Sequence, residues 1–141
     1  MSKTLLRSVT SEDDSRRRLW LSDDEIRRLD PCVGRYFDIH EYAIDVAGTH
    51  IGFCSVSNVT QNEAELGVTI GRKDYWSKGY GADVVNQLTD FCFNSLGVKR
   101  VYLKVLHSNV RAIKCYEECG FIRYGHLALD GYSFILMEKT L

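Results

Sequence analysis

The hydrophobic positions of this chain change period several times. From residue 40 they alternate: Tyr42, Ile44 and Val46 stand against Glu41, Ala43 and Asp45. Ala47-Gly48-Thr49 then reads as a turn, and Ile51, Phe53, Ser55 and Ser57 alternate with Gly52, Cys54 and Val56. This pattern predicts a hairpin. After a polar break over residues 58–62, residues 63–71 predict a third strand. Ala64, Leu66, Val68 and Ile70 share one of its faces, and Glu63, Glu65 and Thr69 share the other. The period then becomes helical. Val84, Val85, Leu88, Phe91, Cys92 and Leu96 share one stripe, and Gly97 stands where a helix ends. Val101, Leu103 and Val105 predict a strand. Ser108 or Asn109 caps a further helix to about Cys119, with Gly120 as its stop. Residues 121–129 and 132–138 flank Asp130-Gly131 as a closing hairpin.

Before residue 40 the pattern is shorter. Leu5, Leu6 and Val9 predict an opening strand. Thr10 or Ser11 caps a helix with Glu12, Asp13 and Asp14 early and Arg16, Arg17 and Arg18 late, an order that suits the helix dipole. Ser22-Asp23-Asp24-Glu25 reads as a capping box with Ser22 as the cap, followed by Ile26, Leu29 and the terminator Pro31. The order strand–helix–helix–three strands–helix–strand–helix–two strands predicts one mixed α/β (α+β) domain over residues 1–141, a single sheet with helices on its faces.

Composition narrows the function. The 141 residues suffice for one domain with a core of its own, and 45% hydrophobic with 26% charged residues is an ordinary globular balance. A net charge of −1 gives no global attraction to a phosphate backbone, so nucleic acid is not an expected partner. No apolar run is long enough to span a membrane and the first residues carry no leader pattern, so the expected compartment is the cytoplasm. The five cysteines, Cys32, Cys54, Cys92, Cys115 and Cys119, are odd in number and scattered, which reads as reduced thiols. Cys115 and Cys119 are four apart but lack nearby histidines, and no metal site is expected.

The chemistry concentrates in two stretches. Trp76-Ser77-Lys78-Gly79-Tyr80-Gly81-Ala82 joins a strand to a helix. Glycines there let the backbone approach a ligand, and the helix start offers unpaired amides to a phosphate. Lys78, with Arg72 and Lys73 nearby, adds positive charge. The loop matches neither the Walker pattern nor the dinucleotide fingerprint. The second stretch, Ser108-Asn109-Val110-Arg111-Ala112-Ile113-Lys114-Cys115-Tyr116-Glu117-Glu118-Cys119-Gly120-Phe121, puts Asn109 28 residues after Gly81.

Together the two stretches closely resemble the GNAT acetyltransferase superfamily, with its Gln/Arg-x-x-Gly-x-Gly/Ala loop and its Asn-x-x-Ala-x-x-x-Tyr-x-x-x-Gly-Phe helix. Asn109, Ala112, Tyr116, Gly120 and Phe121 fall in register with the helix pattern. Residues 65–71 and Asp74-Tyr75-Trp76 resemble the Rim branch, which acetylates ribosomal-protein N-termini and includes polyamine acetyltransferases. The resemblance covers residues 40 to 139. In one departure, Trp76 occupies the Gln/Arg position of the loop.

The resemblance implies a mostly antiparallel twisted sheet with a splayed central strand pair, acetyl-CoA as co-substrate, and a primary amine as acceptor. The acceptor classes it implies are a protein or peptide N-terminus, a polyamine, an amino acid or an antibiotic amine, and the Rim resemblance favours a peptide or protein α-amine. Cofactor contacts fall on Thr69, Ile70, Gly71, Trp76, Lys78, Gly79, Tyr80, Gly81, Ala82, Asn109 and Tyr116. A backbone N–H near Thr69 or Ile70 would hold the thioester oxygen. Tyr116 is the expected acid for the leaving thiolate. Glu65, on the cleft strand, is the first candidate base, with Glu63 and His107 behind it. His40, His50 and His126 are expected to be structural. The family often forms homodimers through its C-terminal strands. Two other readings share these motifs: a non-catalytic acyl-CoA-binding sensor or interaction module, and a regulatory domain that binds ordinary nucleotides.

Overall fold

The computed structural model describes residues 3–31 and 36–141; Cys32 lies outside the described residues. Seven strands form one sheet: β1 (Leu5–Arg7), β2 (His40–Val46), β3 (Thr49–Ser57), β4 (Glu63–Ile70), β5 (Arg100–Leu106), β6 (Ile122–Leu129) and β7 (Tyr132–Thr140). Their spatial order is β1-β2-β3-β4-β5-β7-β6. Neighbours are antiparallel except β4 and β5, which run parallel. The α-helices among the described residues are α1 (Ser11–Leu21), α2 (Asp24–Leu29), α3 (Tyr80–Phe91) and α4 (Val110–Glu118). The expected element order and the mixed, mostly antiparallel sheet are both observed.

Local chemistry explains most boundaries. Thr10 caps α1 in a full capping box with Asp13, whose carboxylate returns to the Thr10 N–H. At α2 the expected cap is corrected. Asp23, not Ser22, accepts from the Glu25 and Ile26 amides, while the Ser22 hydroxyl donates to Leu19 O and closes α1. Only two residues separate the helices, so Ser22 is used by the first. The hairpin turns at Ala47-Gly48 and Asp130-Gly131 have positive φ at both central residues, as tight two-residue turns require. α3 runs into a wider π turn over Cys92–Leu96 that ends at Gly97.

The core joins the sheet to α3 and α4. Ile44, Val56, Leu66, Val101 and Met137 pack with Val84, Val85 and Leu88 of α3 and Ile113 of α4. Residues opposite each other on paired strands share a face, so Phe53 and its partner Thr69 lie on the other side. There Phe53 meets Trp20 of α1 at 6.0 Å. α1 is tied down by the nearly inaccessible Asp13, which takes both guanidinium nitrogens of Arg7 and lies 3.3 Å from His50. His50 is thus structural, as expected.

Candidate active site

The parallel pair β4–β5 makes the cleft. Its register holds at Glu63↔Arg100, Ala64↔Val101 and Glu65↔Tyr102, and pairing then stops. Arg100 clamps this closed end, bonding Glu63 at 2.5 Å and Glu138 at 3.3 Å. Beyond Glu65 the strands part around a cavity of about 660 Å³, lined in part by Val68, Thr69, Ile70, Val105 and Tyr116. Polar backbone on the parted edge of β4 has no neighbouring strand to satisfy it, which suits a ligand lying alongside.

The glycine loop shapes one end of this cavity. Ser77 and Gly79 both take positive φ, 59° and 86°, which turns the chain sharply into α3. Gly79 is the N-cap and no side-chain cap hydrogen bond is present there. The first backbone bond of the helix is Asp83 N–H to Gly79 O, so the amides of Tyr80, Gly81 and Ala82 precede the ladder. Trp76, Gly79, Gly81 and Ala82 line the cavity. Lys78 is exposed and lies outside the lining, and the Tyr80 ring stacks on Tyr75 at 5.7 Å. The nearby cations are already engaged: Lys73 is held by Asp23 and Glu25 at 2.9 Å each, and Arg72 by Asp74. The expected cationic support from Arg72 and Lys73 is therefore corrected, because both charges pair with neighbouring acids.

A different cation reaches the cavity. Arg111, in the first turn of α4, lines it and stacks on Trp76, 3.6 Å from the ring centre. Trp76 is itself fixed by an indole N–H bond of 2.8 Å to Ile70 O. The Arg111 Nη1 is buried and unbonded among the described residues, and burial lowers the guanidinium pKa. Sequence reasoning missed Arg111. One signal was available: a cation at a helix start opposes the dipole and needs another reason to be there.

Tyr116, also on α4, lies on the cavity wall with its ring centre 6.2 Å from that of Phe121. Its hydroxyl makes no hydrogen bond among the described residues, and burial holds its pKa well above the ordinary tyrosine value. Asn109 caps α4 through Ala112 N–H and donates to Leu29 O at 3.4 Å, strapping α4 to the end of α2. Gly71 lies outside the cavity lining. Its N–H bonds Ile51 O, and a Cβ there would sit 2.2 Å from the Trp20 ring, so the glycine serves packing on the α1 side.

The candidate bases separate clearly. Glu63 is bound at the closed end, and exposed His107 has its ring on Ser133 O; neither lines the cavity. Glu65 does line it, but both of its oxygens are engaged. Asn58 donates to Oε1 at 2.7 Å and Lys104 to Oε2 at 3.2 Å. A further carboxylate, Asp30 at the C-cap of α2, also lines the cavity and accepts a short hydrogen bond from the Thr69 hydroxyl.

This architecture is that of an acetyltransferase domain. The family model for the acetyltransferase (GNAT) domain matches residues 3–122, and the chain belongs to that family. Over 70 residues, half of this chain, it is 34% identical to the spermidine N(1)-acetyltransferase of Vibrio cholerae. Over 92 residues, 65% of this chain, it is 29% identical to the aminoglycoside N(6')-acetyltransferase type 1 of Klebsiella pneumoniae. These matches span 40% and 41% of the relatives' own lengths. Among solved structures, aminoglycoside acetyltransferase AAC(6')-Ib in complex with coenzyme A superposes with a TM-score of 0.82, at 21% identity, covering 97% of this chain and 94% of the other. Spermidine N-acetyltransferase from Vibrio cholerae with CoA and spermine gives 0.80 at 21% identity, covering 98% and 95%. These relatives are named for polyamines and aminoglycosides, so the finer placement in the Rim ribosomal-protein branch is not upheld.

Proposed function

We propose that this protein is an acetyl-CoA-dependent N-acetyltransferase acting on a primary amine of a small, cationic acceptor. The observation that carries the reading is the parting of β4 from β5 beyond Glu65, next to a helix start with no side-chain cap. In this reading the diphosphate of acetyl-CoA lies on the amides of Tyr80, Gly81 and Ala82, with Arg111 supplying a cation on the cavity wall. The pantetheine arm follows Val68 to Ile70 as an added strand. The thioester oxygen takes a backbone N–H on that edge. Tyr116, protonated and unbonded, gives its proton to the departing thiolate.

The acceptor side of the cavity supports a cationic amine over a peptide terminus. Asp30, Glu41 and Glu65 all line it; Glu41 pairs with Arg17 and Glu65 with Lys104, which leaves Asp30 as the acid with no ion pair among the described residues. The polyamine and aminoglycoside relatives point the same way. No helix among the described residues is long and apolar enough to cross a membrane, and Cys54, Cys92, Cys115 and Cys119 are all free thiols, which agrees with the cytoplasm as the proposed compartment.

The test is acetyl-CoA turnover, read as free thiol release, against spermidine, an aminoglycoside, a free amino acid and a short peptide. Transfer to the polyamine or aminoglycoside, with weak transfer to the peptide, is the expected result. Tight acetyl-CoA binding without thiol release for any amine would favour the non-catalytic sensor instead.

A further inference from the structure

We propose that Asp30, rather than Glu65, is the general base that takes the proton from the acceptor ammonium. This inference rests on the acetyltransferase reading above and assigns a residue within it.

The two carboxylates differ in what they can still accept. Glu65 has one oxygen on the Asn58 amide and the other on the Lys104 ammonium, which also donates to the Tyr36 hydroxyl. A proton arriving at Glu65 would displace one of those donors. Among the described residues Asp30 has no ion pair, and only its Oδ2 is engaged, by the Thr69 hydroxyl. Its Oδ1 has no hydrogen-bond partner among the described residues. Asp30 also has the right address. Thr69 belongs to the parted edge of β4, where the thioester lies in this reading, and Asp30 is a single side-chain hydrogen bond from that edge. The Asn109–Leu29 bond fixes the end of α2 against α4, the helix that carries Tyr116. Acid and base thereby line one cavity.

Three groups face Asp30: Thr69 from β4, Lys104 from β5 and Tyr116 from α4. Thr69 and Lys104 favour the carboxylate, but burial outweighs them and raises the Asp30 pKa above the ordinary value. The Asp30 charge in turn helps to raise Tyr116. Two titratable groups with such placements divide the work of base and acid.

The proton and electron balance is complete. Asp30 takes one proton from R–NH₃⁺, and the freed lone pair forms the C–N bond. The tetrahedral intermediate collapses, the C–S pair leaves on sulfur, and sulfur takes the Tyr116 proton. The nitrogen's surplus proton restores Tyr116 through water, and Asp30 releases its proton to solvent.

The experiment compares wild type with Asp30→Asn, Asp30→Glu and Glu65→Gln, using spermidine, kanamycin and a short peptide as acceptors across pH 6 to 10. Asp30→Asn is expected to lower kcat about 100-fold or more near neutrality, the scale of general-base catalysis. Its rate should climb toward wild type at the alkaline end, where free amine no longer needs a base. Asp30→Glu should recover part of the rate, and acetyl-CoA affinity should be unchanged in all three. Glu65→Gln should keep the wild-type pH profile. An Asp30→Asn enzyme within threefold of wild-type kcat, or a profile altered by Glu65→Gln alone, overturns the assignment and leaves the acetyltransferase reading intact. A wild-type protein that binds acetyl-CoA and transfers to no amine overturns both.

Discussion

Arg111 lies flat on Trp76, 3.6 Å from the ring centre, on the wall of the cleft and beside the loop that starts α3. The pair joins two elements, since Trp76 belongs to the approach to the loop and Arg111 to α4. A planar guanidinium stacked in this way keeps its charge and loses much of its rotamer freedom, so it is ready for a phosphate.

Arg111→Ala should therefore raise the KM for acetyl-CoA about tenfold or more, since charge-assisted contacts are worth roughly 1.5–3 kcal/mol, with kcat at saturation changed little. Trp76→Ala should shift KM the same way by a smaller factor. Steady-state kinetics at fixed acceptor check both, and an unchanged KM in Arg111→Ala defeats the role assigned to it.

Tyr116→Phe removes one hydroxyl and keeps the ring against Phe121. We expect kcat to fall about 100-fold, while acetyl-CoA binding measured by calorimetry stays as in wild type. A fall in affinity with kcat intact would make Tyr116 a binding residue only.

Gly71→Ala tests the packing role of a glycine expected to touch the cofactor. The added methyl would lie 2.2 Å from the Trp20 ring, a contact that must force α1 to shift. Overpacking of this kind costs roughly 1–3 kcal/mol, and about 4 °C of melting temperature per kcal/mol is typical of a domain this size. Thermal melting reads the loss, and a variant as stable as wild type would show that α1 yields freely.

Acid should destabilise the fold in two stages. Burial lowers the His50 pKa, so its contribution is complete above about pH 6.5 and erodes as pH falls below that value. Arg7 holds the Asp13 carboxyl well below the usual carboxylate range, so its contribution is complete above about pH 4 and is lost further into acid. Asp30 is raised and works in the opposite direction, favouring the fold as it protonates. Melting temperatures from pH 8 to 3, with His50→Gln and Asp13→Asn as controls, separate the stages. A His50→Gln protein with the same slope between pH 6.5 and 5 would exclude His50 as the cause.

Much of this was legible in the chain, for physical reasons that differ by region. Strands β2 to β4 announce themselves because one buried face enforces a period of two. The loop and α4 are legible because glycine at positive φ and an asparagine cap are chemically specific. The Ser22 cap was misassigned because two helices compete for the same short linker. Asp30 was invisible because its importance arises from a partner, Thr69, 39 residues away, and from burial that only the folded cleft supplies. The Arg72 and Lys73 charges read as phosphate ligands until folding set acids beside them.

Gly52 on β3 carries a consequence for the cleft on the far side of its neighbour. A methyl group there would lie 2.1 Å from Thr69 O, so β4 approaches β3 more closely than any larger residue permits. The strand that parts from β5 thus lies against a neighbour that carries no side chain at this point. The fit of β4 on β3 behind the cleft depends on a residue that does not line the cavity.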